Sequence, residues 1–136
     1  MSVSILETAV TIQRYVVQNI AETGLTVSDI NVFDDKFDDS NKSKWIALDT
    51  YPVANNLIAV NGTVAGVQEL LTTVDIYCYN TNKKNTYGLV DDVKSMLENR
   101  ELDNGVIVRL GTPQPPNKLQ NNVWECVVSF SVTQSG

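Results

Sequence analysis

The chain has 136 residues, 43% hydrophobic and 19% charged, and sixteen acidic against ten basic side chains give a formal charge of −6; that suits one globular domain over residues 1–136, large enough to bury a core without disulfide or metal. It holds no histidine, which excludes Ser-His-Asp and Cys-His catalysis and removes the commonest nitrogen ligand for metals. No run of eighteen apolar residues offers a membrane span, the opening MSVSILETAV lacks the basic region of a secretory signal, and the scattered basic residues give no stripe for nucleic acid.

The first predicted element is a helix over about residues 4–22. Ser4 and Glu7 have the spacing of a capping box, and Ile5, Ala9, Ile12, Val16 and Ile20 recur at three- and four-residue steps along one face. Leu6, Val10 and Val17 widen that stripe, and Gly24 suits the left-handed position after the last turn. A single basic residue, Arg14, makes a poor membrane-surface helix. In Asp29–Phe33, Ile30 and Val32 alternate with polar neighbours as in a short strand.

The run from Asp34 to Asn41 carries Asp34, Asp35, Asp38 and Asp39. It lacks the central glycine of a calcium-binding EF-hand loop, so it reads first as a solvated acidic loop. Lys44–Tyr51 is a strand ended by Pro52, with Trp45, Ala47, Asp49 and Tyr51 on one face and Ile46, Leu48 and Thr50 on the other. Leu57–Val60, Asn61-Gly62 and Thr63–Val67 form a hairpin signal, because both residues of a tight turn must accept positive φ. This hairpin is apolar: Leu57, Ile58, Val60, Val64 and Val67 make it either core or an arm that packs on another subunit.

Glu69–Tyr79 alternates as a strand. Asn80–Asn85 is a polar loop, and Thr86 is placed to cap a second helix. Asp91 and Asp92 come early in it, Lys94 and Arg100 come late, as the helix dipole prefers, and Leu89, Val90, Val93, Met96 and Leu97 form its stripe. Asp103–Gly105 ends that segment. Val106–Leu110 is a short strand, Gly111–Asn117 a proline-rich connector, and Val123–Thr133 a long alternating strand with Trp124, Cys126, Val128, Phe130 and Val132 on one face. The fold class is α+β: a mostly antiparallel sheet flanked by two helices on one face, with a protruding β-hairpin.

Little here carries chemistry. Cys78 and Cys126 fall on apolar strand faces and read as buried, reduced thiols. Asp75 has no second carboxylate at a fixed spacing, and Gly62 and Gly66 are not followed by the Lys-Ser/Thr of a phosphate loop. The close basic pairs, Lys42 with Lys44 and Lys83 with Lys84, read as solvated loops. No catalytic constellation, cofactor site or metal site emerges, and the composition favours a binding or structural protein over an enzyme.

The layout resembles tail terminator (tail completion) proteins of tailed bacteriophages. The likeness lies in the amphipathic opening helix from Ser4, the acidic segment before Lys44–Tyr51, the strand Leu71–Tyr79, the helix around Asn85–Lys94, and the closing strand Trp124–Thr133. It implies a structural virion protein, assembled in the host cytoplasm, that forms a closed homo-oligomer, typically a hexameric ring. Such a ring caps the tail tube, stops its polymerisation and joins it to the head–tail connector or stopper protein. DNA passes through without specific binding. On that reading the hairpin contributes to subunit or tube contacts, and the loop with Asp34, Asp35, Asp38 and Asp39 faces the lumen or a docking partner. Another neck adaptor, or a small cytosolic ligand-binding α+β domain, is the alternative.

Overall fold

The computed structural model describes residues 4–32, 36–60 and 63–135, with side chains described except at 52–60, 63–69, 121 and 135. Helix α1 spans Ile5–Asn19 and tightens into a 3₁₀ turn over Ile20–Thr23. Ser4 caps it, its hydroxyl accepting from the Glu7 amide at 3.2 Å. Glu7 does not return the bond. Its carboxylate accepts from the side-chain amide of Gln134 at 2.9 Å, while the Gln134 oxygen accepts from the Ser4 amide. A distant strand residue thus replaces half of the expected capping box. Gly24 takes φ +77° and closes the turn through its N–H to the Ala21 carbonyl.

Ile12, Val16 and Ile20 are buried, whereas Leu6 and Val10 are 73% and 40% exposed. Val17 is half-buried, intermediate between them and the buried stripe. The expectation that these residues widen the core stripe is corrected for Leu6 and Val10, which face solvent.

Strand β1 is Ile30–Asn31, shorter than expected, because a 3₁₀ turn over Val27–Asp29 precedes it and Val32 is exposed beyond it. Strands β2 (Lys44–Val60) and β3 (Thr63–Asn80) form one long antiparallel ladder. Pro52 therefore does not end a strand. It pairs with Thr72 beside a bulge, in a part of β2 that pairs with β3 alone among the described strands. Helix α2 runs Lys83–Leu97 with Asn82, not Thr86, as its cap: the Asn82 side chain accepts from the Asn85 amide. Thr86 is buried inside the first turn and donates to the Asn82 carbonyl. Asp91 and Asp92 consequently fall mid-helix, and Arg100 lies beyond the helix in β4 (Arg100–Glu101), opposite Val108.

Strand β5 extends over Val106–Pro113, through the first part of the expected connector, with a bulge at Arg109 and Leu110. Gly111 makes this possible, since a Cβ there would lie 2.6 Å from the Phe130 ring. Strand β6 (Asn117–Lys118) and strand β7 (Trp124–Ser135) complete one sheet in the order β1-β2-β3-β7-β5-β4, with β6 on β7. Only β1 and β2 pair in parallel among the described strands. Ile46, Leu48, Val74, Ile76, Cys78, Val106, Val108, Cys126, Val128, Phe130 and Val132 share one face, and the buried stripes of both helices pack on it. The fold is the α+β arrangement the alternation implies.

Candidate assembly surfaces

The register of β2 against β3 is set by irregularities along the ladder. Val60 pairs with Thr63, and an unbroken ladder from there would set Trp45 opposite Cys78. That would mix the two sheet faces, since a shift of one residue moves every side chain to the other side. Two irregularities prevent it. Ala65 and Gly66 are extra on β3, between Ala59↔Val64 and Ile58↔Val67; Val53 is extra on β2, between Pro52↔Thr72 and Ala54↔Leu71. Trp45 then meets Tyr79, and Ile46 meets Cys78.

On the far side of β3, β7 pairs from Asn80↔Trp124 to Glu69↔Ser135. Thr63–Gln68 has no third strand among the described residues, so Leu57–Val60 and Thr63–Gln68 run on as a two-stranded ribbon. Leu57 pairs with Gln68, Ile58 with Val67 and Ala59 with Val64. The expected hairpin is therefore the distal part of the main ladder rather than a separate element. Its Asn61-Gly62 turn lies outside the described residues. From Pro52 to Gln68 the sequence has no charged residue.

The acidic loop lies at the other end of β2, about 50 Å of strand away at roughly 3.3 Å per residue. Asp34 and Asp35 lie outside the described residues; Asp38 and Asp39 are exposed. Asp38 accepts from the Ser40 amide in a local turn that, with the Ser40 side chain, holds its carboxyl below the usual range. Lys42 pairs with Asp29 at 2.8 Å, so this part of the segment is anchored. Beside it a groove of about 510 Å³ is lined by Asp39, Lys42, Trp45, Tyr79, Leu119 and Val123. The Trp45 and Tyr79 rings stack in it with centroids 4.9 Å apart. Burial and the Glu125 carboxylate push the Tyr79 hydroxyl far above its ordinary value. Of the basic pairs, Lys42 is thus engaged, and Lys83 stands at the start of α2 over the Trp124 ring at 5.1 Å.

The sheet face away from the helices carries a polar cluster beside the Trp45–Tyr79 stack. Asp75 sits at its centre, accepting from Tyr51 Oη at 3.1 Å and Ser129 Oγ at 2.6 Å. Asp49 lies directly across from Asp75. This cluster is missing from the sequence reading, although the odd-numbered faces of β2, β3 and β7 contain all its members. Only their register brings them together. Two hydroxyls donating to one carboxylate fix its position and offer no base–nucleophile–oxyanion arrangement. Cys78 and Cys126 are directly opposed across β3 and β7, free and buried, and burial pushes both thiols up. They behave as small hydrophobes of the core. Among the described residues, no group of three or more His, Cys, Asp or Glu side chains is placed to hold a metal ion. No helix is long and apolar enough to cross a membrane.

No protein-family model matches the chain, and no curated protein matches its sequence. Its fold does match a solved structure. A chain from the virion of a native gene transfer agent (GTA) particle superposes with a TM-score of 0.63 at 10% identity, covering 99% of this chain and all of the other. At that identity the likeness is one of fold, and it runs over nearly the whole chain.

Proposed function

We propose that the protein is a structural component of a virion, a tail terminator that closes into a ring of six on the end of the tail tube. The observation that carries this reading is the end-to-end fold likeness to a virion chain, with neither chain leaving a large part unmatched. The chemistry of the molecule agrees with it. The histidine-free sequence and the absence of a catalytic arrangement among the described residues suit a scaffold rather than an enzyme. The uncharged β2–β3 ribbon supplies a surface for subunit or tube contacts, and a head-to-tail contact whose rotation closes produces a ring.

On this reading the ring stops tube polymerisation and presents its other face to the head–tail connector, and DNA passes without specific binding. The net charge of −6 per protomer favours that, because like charge keeps phosphates from adhering. Asp34, Asp35, Asp38 and Asp39 belong to the lumen or a docking face. The ribbon favours a tail terminator over a small ligand-binding domain, which needs no uncharged projection. Deleting the gene from the virus that encodes it should give tubes of unregulated length and heads that fail to join them. Tubes of normal length on completed particles would overturn the proposal.

A further inference from the structure

We infer that Cys78 and Cys126 form a modification site: a pair of core thiols that a peroxide closes into one disulfide between β3 and β7. The inference goes beyond the virion reading and does not depend on it. The two residues are directly opposed in the antiparallel ladder, and opposed residues of such a pair project from the same sheet face. Both belong to the buried face, at 0% and 1% exposure, and both are free in the structure. Opposed Cα atoms of an antiparallel pair stand about 4.5–5.5 Å apart, inside the window of about 4.4–6.8 Å that a disulfide spans. Their Cβ atoms start about 4.5–5.5 Å apart and must come within about 4.5 Å, so closure takes a shift of about 1 Å or less.

The two thiols differ in access. Cys78 is enclosed between Ile46 of β2 and Cys126 of β7. Cys126 lies beside a gap along the other edge of β7, between the Pro113↔Val128 rung of β5 and the Asn117↔Glu125 rung of β6. Residues 114–116 span that gap, and Cys126 Sγ donates to the Gln114 carbonyl at 3.2 Å. Gln114 is itself exposed. A small oxidant entering past Gln114 therefore meets Cys126 first. Burial raises both thiols above their ordinary value, so neither is a ready thiolate and the pair reacts slowly. The Cys126 sulfur attacks one peroxide oxygen; the O–O bond breaks, one water leaves and a sulfenic acid forms. The Cys78 sulfur then attacks that sulfur, the S–O bond breaks, and the departing hydroxide takes the thiol proton as a second water. Two thiols give up two electrons, and one peroxide is reduced to two waters.

The test treats the reduced, full-length chain with hydrogen peroxide and follows intact mass and peptide maps. The chain should lose two hydrogens, gain no oxygen and form no covalent dimer. Its map should show one peptide pair joined through Cys78 and Cys126, which dithiothreitol separates. Two variants then order the steps. Cys78→Ala should halt at the sulfenic acid, with Cys126 taking up dimedone, and Cys126→Ala should react at Cys78 roughly tenfold more slowly. The wild-type measurement needs no substitution, so it stands even where a variant fails to fold. Oxygen added at either sulfur of the wild-type chain, cross-links between copies, or two thiols retained at a peroxide dose that fully oxidises glutathione would overturn the pair. Faster dimedone uptake at Cys78 than at Cys126 would overturn the entry past Gln114.

Discussion

The two halves of the β2–β3 ladder share hydrogen bonding but not surroundings. In the half from Lys44 to Thr50 and Val74 to Asn80, β7 pairs on the far side and both helices pack on one face. Its residues are sorted accordingly: Ile46, Ile76 and Cys78 are fully buried, while Asp49 is exposed and Asp75 takes hydroxyl partners on the other face. In the half from Leu57 to Gln68 no third strand pairs among the described residues, and the sequence neither alternates nor carries charge. The first half is built to separate a core from water. The second has no such pattern, and on the proposed reading it serves as the surface for another chain.

The comparison breaks first at the ribbon. Replacing Val64 and Val67 with Asp should abolish assembly and tail completion, while unfolding stability stays within about 0.5 kcal/mol, the usual range for substitutions outside a core. If the double variant instead unfolds the protomer, the ribbon belongs to the core. In the packed half the expected effects are on folding. Phe130→Ala should cost about 3–5 kcal/mol in denaturant unfolding, because it empties the centre of the buried face. Gly111→Ala should cost about 1–3 kcal/mol by forcing a Cβ onto that same ring.

Gln134→Ala should cost a similar amount. It leaves buried Thr8 without its acceptor and strips Glu7, Ser4 and the Asn104 carbonyl of their shared partner. The smallest effect concerns Lys42 and Asp29. Burial alone would raise the Asp29 carboxyl, but Lys42 and the Thr26 backbone and hydroxyl bonds outweigh it, so its value is lowered in the folded state. The contribution is therefore complete above the unfolded carboxyl value of about 4 and lost as pH falls through the folded one. Lys42→Met should cost about 1 kcal/mol or less at neutral pH and nothing at about pH 2. A cost that persists in acid would show that Lys42 acts through packing over Phe37 instead.

Much of this division is legible in the sequence. Period-two alternation in Lys44–Tyr51, Glu69–Tyr79 and Trp124–Thr133 gives the sheet and its buried face, and the stripe through Ile12 and Val16 gives the first helix. The misreadings share a physical origin: a local signal with a tertiary competitor. Pro52 reads as a stop, yet β2 runs on past it through a bulge. Thr86 reads as a cap, yet Asn82 lies one turn earlier and Thr86 serves better buried. Leu6 and Val10 read as core, because periodicity does not say how much of a helix's circumference a sheet covers. The surfaces proposed for assembly are half legible. Leu57, Ile58, Val60, Val64 and Val67 stand out by composition, but the length of the ribbon follows only from where β7 ceases to pair. The Asp75 cluster and the Trp45–Tyr79 stack depend on two bulges that no short-range pattern announces.

The most direct measurement is light scattering coupled to size exclusion, run side by side on the wild-type chain and the Val64→Asp, Val67→Asp variant, with tail tubes added in a second pair of runs. The account predicts a closed species at six times the 15.0 kDa protomer for the wild type, free or on tubes, and a folded monomer for the variant. A wild-type chain that stays monomeric in both runs, or a variant that assembles as well as the wild type, would contradict it.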